Sequence, residues 1–408
     1  MEHILSAGFE KLLNIGISLS SVQNLDELLD MILSEAQFLT NADSGSIYLV
    51  NGDTLIFKTS RSNTYFKKWG EAKTKQVFKS FEIPITKESI AGYVTITGKT
   101  LNIPDVSKIP AEAEYKHNTN FDIKYGYHTI STLVTPMMKH DGTIIGVLQL
   151  INSQEADKVV PFHKEHERII MSISSQAAVS IVNVQLTEQL KSSYLDTIFR
   201  LSAAAEYRDK ETANHIKRVS YYARMLAEKL GMDKEKCELI YWATPMHDIG
   251  KLGIPDAILQ KPGLLTDEER KIMQYHTVIG AMILKGASSE VLAISRLISL
   301  SHHEKFDGTG YPQGIKGEKI PLEGRIVAIA DVYDALSCKR CYKDAFPEEK
   351  VLSILKESSE KHFDPDLLKI FLDNMSSVNE IKDKYADTEK DFENIRNIES
   401  IKINELQG

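Results

Sequence analysis

Along the first half of the chain the spacing of apolar positions changes repeatedly. Asn24 followed three residues later by Glu27 has the form of a capping box, and Leu25, Leu28, Leu29, Ile32 and Leu33 then recur at helical spacing. They predict a helix. Leu12, Leu13, Ile15, Ile17 and Leu19 make a shorter apolar segment before it, whose type the pattern leaves open. Ser46-Ile47-Tyr48-Leu49-Val50 runs into Asn51-Gly52-Asp53 and resumes as Thr54-Leu55-Ile56-Phe57, a hairpin signal. A second hairpin is predicted where apolar stretches 133–137 and 144–151 flank His140-Asp141-Gly142-Thr143. Hairpins framed by helices indicate an α+β domain with an antiparallel sheet.

From Phe162 to Leu230 there is neither proline nor glycine, and Ile170, Ile173, Ala177, Ile181 and Val184 recur at three- and four-residue steps. This predicts one long helix. Its stripe needs a partner, which is either a second copy in a parallel, coiled-coil-like homodimer or the chain's own sheet. Beyond residue 195 strand signals vanish and amphipathic patterns such as 220–230, closed by Gly231, predict an all-α second half. After about residue 375 the chain turns polar, with Ile395, Ile398 and Ile401 at helical spacing, and reads as a peripheral helix or tail.

At 408 residues the chain exceeds what one core usually serves, so two domains are expected. A net charge of -8 favours solubility and gives no reason to expect nucleic acid as a partner. No uninterrupted apolar run reaches the roughly 18 residues of a membrane span, and no leader pattern opens the chain, so a cytoplasmic protein without membrane insertion is expected. Three cysteines, Cys237, Cys338 and Cys341, are too few for a disulfide framework. Cys338-Lys339-Arg340-Cys341 has zinc or redox spacing but no second pair, and is read as two ordinary cysteines.

The chemistry concentrates in the second half. Two adjacent histidines, His302 and His303, run into the turn-forming segment 304–312, Glu-Lys-Phe-Asp-Gly-Thr-Gly-Tyr-Pro. Packing alone explains such a run poorly. Glu211 and His215 are four apart, hence on one face of a helix. His247-Asp248 is an adjacent pair whose side chains diverge by about 100° on a helix, so a short Asp between two ions can bridge them. His276 and Asp331 complete a set of imidazoles and carboxylates that reads as a polynuclear metal site. Mixed nitrogen and oxygen donors suit iron, with manganese or zinc as alternatives, rather than an all-oxygen cage. Lys251, three past Asp248, shares its face if the helix continues. Gly308 and Gly310 read as turn formers that permit positive φ.

Residues of about 10 to 185 resemble GAF sensory domains, on the helix before the first strand, the segment 89–94 with 101–105, and 146–152. Where cyclic-nucleotide-binding members carry Asn-Lys, Phe and Asp-Glu, this chain has Asn152-Ser153, Phe162 and His166-Glu167. With the Lys and the Asp absent, a dimerising or structural role stands beside a sensory one.

Arg208-Asp209-Lys210-Glu211-Thr212, the segment 247–255 opening His-Asp-Ile-Gly-Lys, 302–312, and 324–336 containing Ala330-Asp331-Val332-Tyr333-Asp334 resemble the HD-GYP phosphodiesterases over about residues 195 to 375. Ala213 and Cys341 stand where glycine and proline are common in that family, and neither change removes a ligand. The resemblance implies hydrolysis of cyclic di-GMP, to the linear dinucleotide pGpG or to GMP, with metal-bound hydroxide as nucleophile. It implies that His215, His247, Asp248 and Asp331 hold one metal, that Asp248 bridges to a second held by His276, His302 and His303, and that Glu211 admits a third. Catalytic roles fall to Asp248 and Lys251, and substrate contacts to Tyr311, Arg340 and Lys343. The expected layout is a GAF-like domain over 1–162, a connecting helix over 163–200, a catalytic domain over 201–375 and a polar C-terminal helix or tail over 376–408. A non-catalytic cyclic di-GMP receptor, or a hydrolase of another cyclic dinucleotide or phosphoester, remains as the alternative.

Overall fold

The computed structural model describes residues 16–70, 73–74, 81–156, 158–209, 211–339 and 344–389. The apolar segment over 12–15, the tail isoleucines and the residues Arg340, Cys341 and Lys343 lie outside them. The chain divides into two units, one up to residue 191 and one from 192.

The N-terminal unit opens with helix α1 (Leu25–Thr40), where the Asn24 side chain accepts from the Glu27 amide. Strands β1 (Ala42–Asn51) and β2 (Thr54–Ser62) form the first predicted hairpin, with Gly52 at a φ of 55° in its turn. After α2 (Asn63–Trp69) come β3 (Glu82–Pro84), α3 (Ile90–Thr97), β4 (Leu101–Ile103) and α4 (Asn120–Tyr125). The second hairpin is β5 (Thr132–Met138) with β6 (Ile144–Glu155), and β7 (Lys158–Val160) pairs with β6. All pairings are antiparallel, in the order β3-β2-β1-β6-β5-β4.

Successive strand residues face opposite ways, so Leu148 and Val147 of β6 enter different cores. One face of the sheet is covered by α1 and by Ile173, Ala177 and Ile181 of the long helix α5 (Lys164–Arg208). The stripe that asked for a partner therefore packs on the chain's own sheet. A window of α5 is long and apolar enough, by length and composition, to cross a membrane, although 44% of it is buried inside the protein.

The stretch without proline or glycine that predicts a long helix holds two helices, and the connecting one runs on to Arg208 rather than ending near 200. Thr212, in extended conformation, accepts a hydrogen bond from the His215 amide through its hydroxyl and starts α6 (Ala213–Lys229) afresh. No proline or glycine is needed for such a break. The C-terminal unit continues with α7 (Lys234–Ala243), a 3-10 helix over Thr244–Gly253, α8 (Asp256–Leu259), α9 (Asp267–Gln274), α10 (His276–Ile283), α11 (Glu290–Ser301), α12 (Leu322–Ser337), α13 (Glu348–Glu357), α14 (Pro365–Asp373) and α15 (Met375–Lys384). Its main core joins Val219, Tyr222 and Leu226 of α6 to Ile326, Ile329 and Tyr333 of α12 and Phe371 of α14.

Candidate metal centre and active site

The 3-10 helix carries three of the expected residues. Three residues per turn eclipse positions i and i+3, which puts Lys251 over Asp248, with Nζ 2.8 Å from Oδ2. Gly250 lets this helix lie against α10: a Cβ there would sit 1.8 Å from the His276 carbonyl oxygen. That contact brings His276, the first residue of α10, to the same place. His302 caps the end of α11 and His303 follows it.

Four of the five imidazoles are oriented by their second nitrogen. Nδ1 lies 3.0 Å from the Thr244 carbonyl in His247, 2.7 Å from the Met273 carbonyl in His276, and 3.0 Å from the Ile298 carbonyl in His302. His215 directs Nδ1 to Asp334 Oδ2 at 2.8 Å. Such bonds set the tautomer and leave Nε2 to act as a ligand. The Nε2 atoms of His276 and His302 lie 3.1 and 3.4 Å from Asp248 Oδ1 without hydrogen-bonding to it, and His247 Nε2 and Glu206 Oε1 are likewise buried and unpaired among the described residues. Leaving one such group unpaired costs about 1–3 kcal/mol. Several converging on one spot fit a site built for cations.

Two groups have ligand atoms within 4.8 Å of one another and can hold a metal: Asp248 with His276, His302 and His303, and Glu206 with His215 and His247. Asp248 faces both, since its Oδ2 lies 3.5 Å from His247 Nε2. Asp331 reaches the second group, 3.7 Å from His215 Nε2. Glu211 is buried but belongs to neither group. It precedes the Thr212 cap, so it shares no helical face with His215, and the spacing argument fails for it.

Tyr311 stacks on His303 with ring centroids 4.8 Å apart, and its amide donates to the His303 carbonyl. Burial pushes the Tyr311 hydroxyl well above its usual range. Gly308 has the expected positive φ of 85°. Gly310 does not, and serves a close approach instead, since a Cβ there would meet the Lys305 amide nitrogen at 2.2 Å.

Electrostatics separate the roles of the charged groups. Burial opposes charge on Lys251, but the carboxylates of Asp248, Glu206 and Asp209 outweigh it and hold the ammonium well above the usual lysine range. Burial also opposes charge on Asp248, and Lys251, His247 and His276 still hold its carboxyl well below the usual carboxylate range. His303 is kept neutral by burial and by the neighbouring His302 and His276, the form a metal ligand needs.

Four residues here have no site role in the sequence reading, although Asp209 and Asp334 stand in its motifs: Glu206, Asp209, Arg218 and Asp334. Arg218 clamps Asp334 through Nε at 2.7 Å and Nη2 at 2.9 Å, and Asp334 in turn orients His215. The signal for Asp334 was its place one helical turn after Asp331. For Glu206 it was an acid following three alanines, 203–205, a setting that favours burial.

Cys338 is free and donates weakly to Asp334 Oδ1 at 3.5 Å, while burial raises its thiol pKa to about 12. That is the environment of an inert structural thiol.

Residues 24–181 match the GAF domain model and residues 200–367 match the HD domain model. The chain carries a GAF domain followed by an HD domain. Its HD half is similar to a cyclic di-GMP phosphodiesterase of Vibrio cholerae serotype O1, 49% identical over 188 residues, which are 43% of this chain and 38% of that protein. It is also similar to the cyclic di-GMP phosphodiesterase response regulator RpfG of Xanthomonas campestris pv. campestris, 41% identical over 191 residues, 47% of this chain and 50% of the relative. A 3'3'-cGAMP-specific phosphodiesterase 2 of Vibrio cholerae serotype O1 is 40% identical over 192 residues, 47% of this chain and 37% of the relative. The chain thus spans half or less of the length of these relatives.

Proposed function

We propose that the HD domain is a metal-dependent phosphodiesterase of the HD-GYP kind that hydrolyses cyclic di-GMP to pGpG or GMP. The observation that carries this reading is the convergence of buried, unpaired imidazole nitrogens of His247, His276 and His302 around Asp248. Bound cations, iron first and manganese or zinc as alternatives, would supply an activated water and neutralise charge on the phosphoryl oxygens. His276, His302, His303 and Asp248 would hold one ion. His215, His247, Glu206 and Asp331 would hold another, with Asp248 between the two and Glu211 in reserve for a third. Lys251 places its ammonium where a phosphate oxygen or the leaving alkoxide can take its charge. Tyr311, fixed on His303, shapes the wall beside a guanine or phosphate group, and Arg340 and Lys343 add charge for the phosphates.

Metal-loaded protein incubated with cyclic di-GMP, with products resolved by chromatography, tests the reading. Hydrolysis to pGpG or GMP is expected. Binding without turnover would point to a receptor, and preference for 3'3'-cGAMP, which one relative's name specifies, would redirect the substrate. Asp248→Ala should release metal and cost more than the roughly 10- to 100-fold that losing an outer-shell partner costs. Near-normal metal content and turnover in that variant would sink the bridging role.

Regulation by the GAF domain belongs to the same proposal, in a cytoplasmic homodimer joined through α5. With the inner stripe packed on the sheet, the dimer rests on the outer face, where Val179, Leu186 and Leu190 are 56%, 56% and 72% exposed at steps of seven and four. Sedimentation giving a monomer at working concentration would remove it.

A further inference from the structure

Arg208 and Asp209 stand together in a motif that the sequence singles out, yet the chemistry proposed above gives neither a part. Both sit where α5 ends. Asp209 Oδ2 lies 2.6 Å from Lys251 Nζ, the shortest of three carboxylate contacts to that ammonium, beside Asp248 Oδ2 at 2.8 Å and Glu206 Oε2 at 3.3 Å. A lysine ammonium has three donors, and here three carboxylates surround it.

Arg208 grips the backbone of the same segment. Its Nη1 donates to the carbonyls of Lys251 and Leu252 at 2.8 and 2.7 Å, and its Nη2 donates to the Ile254 carbonyl at 2.7 Å and to Asp256 Oδ1 at 2.8 Å. These carbonyls cluster where the 3-10 helix ends, and that of Lys251 also accepts from the Ile254 amide at 3.1 Å. The last turn of α5 therefore holds Lys251 at both ends, main chain and ammonium.

We propose that Asp209 and Arg208 are positioning residues for Lys251, so that the end of α5 sets where the ammonium meets the substrate phosphate. This rests on the phosphodiesterase reading. Lysine on its four-carbon stem is a flexible point charge, and it gains direction only from what holds it. A misplacement of about 1 Å in such a group costs up to about 100-fold in rate. A general brace of the fold would matter equally with or without the Lys251 side chain. A seat for that side chain would not.

The test is a double-mutant cycle on the full chain with cyclic di-GMP: wild type, Asp209→Asn, Lys251→Ala and both together, with metal content measured for each. Asp209→Asn alone should lower kcat/KM about 10- to 100-fold at unchanged metal content. In the Lys251→Ala background it should change almost nothing, and Asp209→Glu should recover part of the loss. Equal losses in both backgrounds, or metal lost with Asp209→Asn, overturn the proposal. Lys251→Ala as active as wild type would instead sink the role given to Lys251 in the phosphodiesterase reading, and the seat with it.

A second readout does not need turnover. Acetylation of Lys251 by an N-hydroxysuccinimide ester, followed by peptide mass spectrometry, should quicken about tenfold in Asp209→Asn and in Arg208→Lys, the scale of one lost charge-assisted hydrogen bond. An unchanged rate overturns the proposal whether or not the chain hydrolyses the dinucleotide. A quickened rate in a chain without hydrolysis supports the seat while rejecting the enzymatic reading.

Discussion

His215 shows how far a single candidate ligand depends on residues outside its own group. Its ring is set by Asp334, 119 positions away, and Asp334 keeps its charge in a buried place because Arg218 pairs with it. Burial would raise that carboxyl, and the Arg218 guanidinium and His215 bring it far below the usual carboxylate range. His362 is the opposite case, a half-buried imidazole on which the nearby Asp331 and Asp307 do not outweigh burial. Burial first, and then nearby Lys305, lower its pKa from 6.5 to about 4, while its ring stacks on Phe363 at 4.4 Å. The neutral form is the one the fold accepts. As pH falls below the unfolded value of 6.5 the unfolded chain takes up a proton first, so stability is lost progressively down to about 4 and no further below it. Urea unfolding at several pH values should show wild type losing stability relative to His362→Gln across this window. A constant difference between the two would contradict the assignment.

At the scale of elements, the close approach of the 3-10 helix to α10 decides whether the site exists. Gly250→Ala would drive a methyl into the His276 carbonyl oxygen at 1.8 Å and the Gly280 amide nitrogen at 2.5 Å, both of them backbone atoms that cannot swing away. We expect α10 to shift and His276 to leave Asp248. The variant should lose about 1–3 kcal/mol of stability by overpacking and bind less metal, measured by denaturation and by metal analysis. An unaltered metal content would show that the two elements are less tightly coupled than their packing indicates. The same scale explains why the stretch without proline or glycine holds two helices. Apolar periodicity continues through residues 195–230, but Thr212 competes for the backbone with its hydroxyl, and the resulting break turns Glu206, Arg208 and Asp209 toward the segment that bears Lys251.

For the molecule as a whole, separate cores imply separable stability. The GAF unit rests on α1, α3 and α5 around its sheet, and the HD unit on α6, α12 and α14, while both candidate metal groups lie in the HD unit. Calorimetry should therefore resolve two transitions, of which only one moves when metal is added. Saturation at 1,000 times Kd adds about 4 kcal/mol to the unit that binds. A single transition, or a metal shift in both, would show that the units unfold as one.

The change from strand to helical periodicity, the two hairpins and the residue types of the candidate metal groups were all legible in the sequence, because each is a local matter of period, turn chemistry or side-chain donor. His215, His247, Asp248, His276, His302 and Asp331, read from the sequence as candidate ligands, lie close together in the fold. Their grouping was not legible. Glu206 joining His215 and His247 while Glu211 stays outside both groups, Asp334 behind His215, and Lys251 seated by the end of α5 all depend on contacts between distant positions. Spacing along the chain says which side chains share a face of one element. Only the packing of elements against one another says which faces meet, and at distances of a few ångströms that packing decides which carboxylate lies among the imidazoles and which lies against the lysine.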